Sequence, residues 1–200
     1  MVDSVRFIPE LLKWEGATTW IYRDVVGYAT VAVGNLLHDA DDACALPFFN
    51  VTEGRAATTE EIRREFVRVM SCQRGQRASA YRATKLTPRI ELSDGYVAIL
   101  VRQRLEKEFL PGLRKMCPGF DAFPEPAQAC LVDLAYNLGI GRPATADHKA
   151  TGLTAFGDLR AACNRGDWET AARECHVSTS RPERNAWRAE RLRAAANNAQ

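Results

Sequence analysis

The sequence predicts an α+β fold in which helices predominate. Apolar residues recur at helical spacing in several segments, and glycine or proline separates most of these segments. One region, Trp20 to Val33, is instead rich in aromatic and β-branched residues around Gly27, which is typical of a β-hairpin. The 200 residues are 46% hydrophobic and 26% charged, an ordinary composition for a chain that can bury a substantial core. We therefore expect a mostly helical protein with a small antiparallel sheet.

The first helix is predicted to begin near Phe7 and to end at Glu15. Its apolar residues fall at helical intervals: Val5, Phe7, Ile8, Leu11, Leu12 and Trp14. Pro9 fits the first turn, where backbone amides have no helical partner to lose. Gly16 suits the position just past the helix end. Glu15 is therefore expected at a helix terminus directly before the hairpin.

The middle of the chain carries clear helix signals. Thr58 to Glu61 reads as a capping box before an amphipathic segment. Arg74 to Arg89 is polar and is expected to be irregular. Ser93 is the predicted cap of a long helix, which Pro111-Gly112 should kink or end.

The last third of the chain is predicted to be helical apart from one loop. Pro124 to Pro126 opens a helix that ends at Gly139 to Gly141, and Gly141 to Gly152 forms the loop. The remaining helices are expected at Asp158 to Cys163, at Trp168 to Cys175, and in the Arg/Ala-rich segment after Ser180-Arg181-Pro182-Glu183.

Two carboxyls and a hydroxyl near the hairpin have a spacing that suits glycoside hydrolysis. Glu15 is followed by eight residues and Asp24, then by five residues and Thr30. In such hydrolysis one carboxylic acid protonates the leaving oxygen, and a second carboxylate handles a water on the other side of the sugar ring. A hydroxyl can help to hold that water. A single Glu or Asp is usually a solvated surface charge, so the assignment depends on the spacing together with the helix and hairpin context.

At these three residues the chain resembles the T4-type phage lysozymes, the muramidases of glycoside hydrolase family 24 found in many phage endolysins. The family signature is Glu, eight residues, Asp, five residues, Thr, and all three positions match. Ala127 to Gly139 also resembles the core helix of the family's larger lobe, and Leu159 to Ala172 resembles the helix pair that follows it. The stretch from about His38 to Ile90 is not explained by the resemblance.

The resemblance implies a single lysozyme-like domain over residues 1–200. Its small β-hairpin lobe would span about 15–92 with an insertion. Its larger helical lobe would span about 93–200 together with the helix at 1–14, and a long helix would join the two lobes.

The resemblance also implies an N-acetylmuramidase that inverts the anomeric centre. Glu15 would be the general acid, kept protonated by a partly apolar site. Asp24 would activate water or stabilise positive charge on the sugar, and Thr30 would orient the water. Substrate contacts are expected from four further residues: Trp20, Tyr22, Asn35 and Asn137. No metal or other cofactor is expected.

The chain departs from the family pattern at two places. The family usually writes Thr-Ile-Gly-Tyr-Gly-His after the hairpin turn, whereas Ala32 takes a glycine position in this chain and Asn35 a histidine position. Many relatives carry paired arginines near the C-terminus. The segment Arg184 to Arg188 leaves open which arginine corresponds.

Two other functions are compatible with the sequence. A lytic transglycosylase would need Glu15 but would not need Asp24 to manage a water, and it would release a 1,6-anhydro product. A catalytically silent wall-binding module would bind peptidoglycan and release no fragments.

Six cysteines are many for this length, and their even number suggests disulfides formed in an oxidising compartment. Proximity in sequence favours three pairs: Cys117–Cys130, Cys163–Cys175 and, by remainder, Cys44–Cys72. Zinc is the competing interpretation. It is disfavoured because no Cys-x₂-Cys pair exists and the three histidines, His38, His148 and His176, are scattered.

Net charge and hydropathy argue against some classes of binding partner. The net charge is +2, from 27 basic and 25 acidic residues, and no nucleic-acid-binding motif is present. No segment approaches the length of a transmembrane helix, and no secretory signal is visible. We expect a monomer that acts on glycan strands in the bacterial periplasm or cell wall. It would be delivered through a phage-induced membrane lesion or by a secretion machine, with a carrier or an immunity protein as a further partner in the second case.

Overall fold

The computed structural model of the protein describes residues 2–82 and 89–197. The predicted α+β class is confirmed, since helices predominate over two three-stranded sheets. The chain divides into two compact units. Residues 15–102 form one, which we call the inserted unit, and residues 1–14 with 103–200 form the other, which we call the terminal unit. The division falls after Arg102 rather than at the expected position near residue 92.

The first helix matches its prediction. A 3₁₀ turn at Ser4–Phe7 leads into α1 (Ile8–Glu15), which has Glu15 as its last residue. Gly16 follows with φ of +75°, a left-handed conformation that glycine adopts without steric cost and that ends the helix.

The predicted hairpin is present and belongs to a larger sheet. The strands β1 (Thr18–Arg23), β2 (Ala29–Ala32) and β3 (Asn35–Leu37) are antiparallel and lie in that order. The turn between β1 and β2 places Tyr22 directly opposite Thr30. The third strand was not predicted, because three residues are too few to show an alternating pattern.

The stretch that the family resemblance leaves unexplained adds two helices and a second small sheet to the inserted unit. They are α2 (Ala40–Cys44), β4 (Phe49–Asn50), β5 (Arg55–Ala56), α3 (Thr59–Ser71) and β6 (Ile90–Glu91), with strand order β5-β4-β6. The predicted capping box is confirmed at α3: Thr58 Oγ1 accepts a hydrogen bond from the Glu61 amide, and the Glu61 carboxylate accepts one from the Thr58 amide. The short α2 was not predicted. Its N-cap is Asp39, which accepts from the amides of Asp41 and Asp42.

The segment predicted to be irregular contains one ordered turn. A 3₁₀ turn at Ala78–Tyr81 buries Tyr81, and residues 83–88 lie outside the described part of the chain.

The long helix continues past Pro111-Gly112, where the sequence predicts a kink or an end. It begins as α4 (Asp94–Arg104), where Ser93 Oγ accepts from the Tyr96 amide at 3.1 Å, as its predicted cap should. A π-helical segment, Leu105–Phe109, follows, and the helix resumes as α5 (Leu110–Met116). Pro111 has no amide to donate to the carbonyl four residues earlier, and its ring would clash there. The helix accommodates this by widening in the preceding turn instead of ending at Pro111-Gly112.

The terminal unit is built around α6 (Glu125–Leu138), most of whose residues are buried. The later helices are α7 (Gly157–Arg165), α8 (Trp168–Glu174) and α9 (Pro182–Asn197). Helix α9 packs against both α6 and α8, and α7 packs against α8. The predicted loop after α6 is present, and Gly141 in it is required. A Cβ atom there would lie 1.7 Å from the Thr151 carbonyl oxygen.

Candidate active site

All three residues of the predicted catalytic triad belong to the inserted unit. Glu15 is half-buried at the end of α1, where Gly16 turns the chain at once towards β1. Asp24 directly follows β1, and Thr30 lies in β2. Helix end and hairpin are thus joined by only two residues, Gly16 and Ala17, as the sequence predicts.

Asp24 is fixed by the turn that it helps to build. Its Oδ1 accepts hydrogen bonds from the amides of Gly27 at 2.7 Å and Tyr28 at 2.9 Å. The Asp24 backbone closes the same turn, with its amide donating to the Tyr28 carbonyl and its carbonyl accepting from the Gly27 amide, each at 3.0 Å. Within the described residues Oδ2 accepts no hydrogen bond. One carboxylate oxygen therefore holds the turn, and the other takes no part in it.

Arg23 also stabilises this turn. The sequence pattern did not point to this residue. Its guanidinium donates to the carbonyls of Gly27, Met70 and Cys72 at 3.1, 3.1 and 2.8 Å, which ties the turn to the C-terminal end of α3. Gly27 has φ of +104°, and a Cβ atom on it would lie 2.6 Å from Arg74 Cδ. The position of Arg23 next to Asp24 was the only local signal. Its three acceptors are not adjacent in sequence.

The phenol of Tyr22 lies within the electrostatic influence of both carboxyls. Burial raises the pKa of its phenol above 10.0, and the nearby carboxylates of Asp24 and Glu15 raise that pKa further. Both carboxyls therefore act electrostatically on the same hydroxyl. Tyr22, a predicted substrate contact, thus lies near both carboxyls of the predicted triad.

Thr30 lies on the strand opposite Tyr22. It is 3% exposed, and its Oγ1 donates to the Tyr28 carbonyl at 3.2 Å. Because the hydroxyl proton is engaged, the oxygen lone pairs remain available as acceptors. Side chains directly opposite each other on antiparallel strands share one face of the sheet. Thr30 and Tyr22 therefore lie side by side.

The two hairpin positions that differ from the family pattern, Ala32 and Asn35, lie away from the turn between β1 and β2. Ala32 has φ of +56°, the one positive value among the described non-glycine residues. The position that the family gives to glycine thus has the backbone conformation that glycine favours. Asn35 is half-buried at the start of β3, opposite Val31.

Two of the predicted substrate-binding residues, Trp20 and Asn137, make hydrogen bonds within their own units. The Trp20 indole donates to the Ala78 carbonyl at 2.8 Å, and the Arg82 guanidinium lies over the ring at 4.5 Å. We therefore assign Trp20 to packing within the inserted unit. Asn137 belongs to the terminal unit, where its Oδ1 accepts from Ser180 Oγ at 2.9 Å and from Arg188 at 3.0 Å.

The arginines near the C-terminus form a buried ion cluster with Asp133 of α6. Arg184 donates to this carboxylate through both Nε and Nη2, and its Nη2 lies 2.7 Å from Oδ1. Arg188 Nε lies 2.6 Å from Oδ2. All three residues are less than 9% exposed. Both arginines of this segment thus hold α9 to α6.

The cysteine pairing expected from proximity in sequence differs from the structure, in which all six carry free thiols. The pair Cys44–Cys72 is wrong. The Cys44 thiol lies 3.7 Å from the Thr59 carbonyl at the start of α3, whereas Cys72 caps the other end of that 13-residue helix. At 1.5 Å per residue the two cysteines are about 20 Å apart, beyond the reach of a disulfide.

The four remaining cysteines are all buried in the terminal unit. Burial raises the pKa of the Cys130 thiol well above 9.0, and the neighbouring Cys175 thiol raises it further. Within the described residues no group of three or more His, Cys, Asp or Glu side chains is placed to hold a metal ion.

No protein-family model matches the chain, and no curated protein matches it significantly. Within the described ranges no helix combines the length and apolar character needed to span a bilayer. The functional assignment accordingly depends on the residues around Tyr22.

Proposed function

We propose that the protein is an N-acetylmuramidase that cleaves the β-1,4 bond between N-acetylmuramic acid and N-acetylglucosamine in peptidoglycan. The observation that carries the proposal is the arrangement around Tyr22. Glu15 and Asp24 both act on its phenol, and Thr30 lies opposite it in register. Two carboxyls near each other are the groups that glycoside hydrolysis requires, and a buried hydroxyl beside them can help to hold the water.

Each group has a definite task in the proposed reaction. The Glu15 carboxylic acid gives its proton to the glycosidic oxygen as the bond to the anomeric carbon breaks. Asp24 takes a proton from the attacking water through Oδ2, because Oδ1 already holds the Gly27 and Tyr28 amides. The Thr30 oxygen accepts a hydrogen bond from the same water. Water then bonds to the anomeric carbon from the opposite face, and the configuration inverts.

The proposed substrate determines where the protein acts and what it binds. The proposed site of action is the periplasm or wall of a bacterium, with glycan strands as the substrate. A monomer would suffice, because the three catalytic groups come from one unit of one chain.

Digestion of purified peptidoglycan with wild type and Glu15→Gln tests the proposal. Glutamine keeps the shape of the side chain and removes the acidic proton, so the rate of fragment release should fall by at least about 100-fold. Mass spectrometry of the wild-type digest should show muramic acid at the reducing end. Glu60→Gln is the matched control, because Glu60 is an exposed residue of α3 paired with Arg64, and its replacement should leave the rate unchanged.

Three results would contradict the proposal. Substantial fragment release by folded Glu15→Gln would remove the general acid. Products lighter by one water, with a 1,6-anhydro end, would identify a lytic transglycosylase. Binding to peptidoglycan without release of fragments would identify a wall-binding module.

A further inference from the structure

A cavity of about 220 Å³ lies inside the terminal unit, between three of its helical segments. They are α1 with the 3₁₀ turn before it, α6 and α9. Phe7, Leu11 and Val132 line the cavity, and each is at most 4% exposed. A cavity of about 150 Å³ holds one benzene molecule, so this one has room for an aromatic ring and a small polar group.

Trp187 of α9 adds an aromatic side chain to the lining of the cavity. Its ring centre lies 6.0 Å from that of Trp14, and the Arg191 guanidinium lies 5.4 Å from the centre of the Trp187 ring. Apolar and aromatic side chains together with a few polar groups are the usual lining of a small-molecule site. The lining therefore favours a ligand with an apolar body.

Two guanidinium groups line the same cavity, one from Arg6 and one from Arg191. Arg6 donates to the side-chain oxygen of Gln128, which is a neutral acceptor. Within residues 2–82 and 89–197, Arg191 donates no side-chain hydrogen bond and neither guanidinium forms an ion pair. Both positive charges thus lack a carboxylate partner in that part of the chain, and the donors of Arg191 are available to a ligand.

Three acidic residues line the cavity as well, and two of them already have cationic neighbours. Asp133 is compensated by the two arginines of the buried ion cluster, and Glu10 Oε2 lies 3.7 Å from Lys13 Nζ. Glu125, the first residue of α6, forms no ion pair with the described residues and lies where the helix end favours negative charge. Two guanidiniums against one such carboxylate leave a surplus of one positive charge, which favours a ligand with one negative charge.

We propose that this cavity binds a small monocarboxylate with an aromatic or similarly compact apolar body. The apolar body packs against Phe7, Leu11 and Trp187. The carboxylate accepts hydrogen bonds from Arg191, and Arg6 supplies a second positive charge. A guanidinium pairs with a carboxylate through charge-assisted hydrogen bonds, so the cavity selects a carboxylate over a neutral or cationic group.

The proposed ligand site does not depend on the proposed muramidase function. Every residue that lines the cavity belongs to the terminal unit, whereas the three proposed catalytic groups belong to the inserted unit. Binding of a carboxylate and hydrolysis of peptidoglycan can therefore be measured separately, and either can fail alone.

Isothermal titration calorimetry of the full chain at pH 7 tests the proposal, with phenylacetate as the ligand. Phenylacetamide and phenethylamine carry the same ring with a neutral and a positively charged group. Phenylacetate should bind one-to-one and at least about tenfold more tightly than either analogue. Arg191→Gln should weaken its binding by about tenfold. Arg193→Gln is the matched control, because Arg193 is an exposed arginine of the same helix outside the cavity, and its replacement should leave binding unchanged.

Ala129→Leu tests the location of the ligand. Ala129 lines the cavity from α6, and a leucine there would fill part of the space, so phenylacetate binding should be lost while the circular dichroism spectrum is retained. If this variant fails to fold, the comparison of Arg191→Gln with Arg193→Gln decides.

Several results would overturn the proposal. They are equal affinity for the three compounds, tightest binding of phenethylamine, unchanged binding in Arg191→Gln, full binding by folded Ala129→Leu, and the absence of saturable binding by the wild type.

Discussion

At the scale of single residues, Asp24 holds a turn with one carboxylate oxygen and keeps the other outside it. Its Oδ1 organises the turn between β1 and β2 through two amides, while Oδ2 takes no part in that turn. An asparagine side chain can accept the same two hydrogen bonds through its own Oδ1. Replacement by asparagine therefore removes the charge and retains the turn.

Asp24→Asn should slow the release of fragments from peptidoglycan by at least about 100-fold with an unchanged melting temperature. Asp39→Asn is a matched control, because Asp39 accepts two amides at the start of α2 in the same way and has no proposed catalytic task. Proton NMR of the first product released by the wild type should show the inverted anomer. Retention of configuration would contradict the proposed attack by a water that Asp24 and Thr30 hold.

Ala32 carries strain that a glycine would remove. A non-glycine residue in the left-handed region costs about 1–2 kcal/mol, whereas glycine loses about 0.5–1 kcal/mol more conformational entropy on folding. Ala32→Gly should therefore stabilise the protein by about 0.5–1 kcal/mol in urea unfolding. Ala29→Gly, at a buried position of the same strand with ordinary backbone angles, should destabilise it. Loss of stability in Ala32→Gly would show that the backbone strain is not the deciding factor.

At the scale of elements, Glu91 joins β6 to its surroundings in the inserted unit. Its carboxylate accepts hydrogen bonds from Arg82 at 2.9 Å, from Arg89 at 2.7 Å and from Thr19 of β1 at 2.8 Å. Burial is the largest influence and favours the neutral acid. The hydrogen bonds from Arg82, Arg89 and Thr19 together outweigh it and hold the pKa of Glu91 below 4.5.

This lowered pKa predicts a pH dependence of stability. The unfolded chain takes up a proton at Glu91 near the ordinary pKa of 4.5, whereas the folded chain does so only at lower pH. The stabilisation is therefore complete above that pH and is lost as the pH falls through the folded pKa. Glu91→Gln should be less stable at pH 7, and its free energy of unfolding should vary less than that of the wild type between about pH 5 and pH 3. If the free energies of unfolding of the wild type and Glu91→Gln changed equally with pH, the proposed contribution of the ionised Glu91 to stability would be contradicted.

Local signals predicted the elements that depend on neighbouring residues. Gly16 ends α1, the Thr58 box starts α3, and the Trp20 to Val33 pattern forms a hairpin, because each feature is decided within a few positions. The contacts of Trp20 with Ala78 and Arg82 and the hydrogen bonds from Arg23 to the end of α3 were missed, because they join residues that only the tertiary fold brings together. Glu15, Asp24 and Thr30 could be proposed together from the sequence because all three lie within one short stretch of chain.

At the scale of the whole molecule, the terminal unit depends on charges buried between α6 and α9. Asp133 is 1% exposed, and Arg188, which contacts it, is 0% exposed. A buried ion pair contributes little over an apolar replacement, but removal of one partner leaves the other charge uncompensated.

Asp133→Asn should therefore destabilise the protein by about 3–5 kcal/mol in denaturant unfolding. The matched control is Asp121→Asn, which breaks the exposed pair with Arg114 and should cost less than about 1 kcal/mol. Similar losses for the two variants would show that the buried cluster is no more important than a surface pair.

The division of the chain has a consequence for its synthesis. Helix α1 leaves the ribosome before the rest of the terminal unit, and its contacts in that unit lie far downstream: Ser4 donates to Glu106, and Trp14 packs on Trp187 at 6.0 Å. At about 5–20 residues per second, Trp187 follows Trp14 after roughly 10–35 seconds. All three proposed catalytic groups are made within the first 30 residues, yet the terminal unit can close only when the last helix has been translated. A nascent chain therefore contains all three side chains of the proposed site before the terminal unit can form.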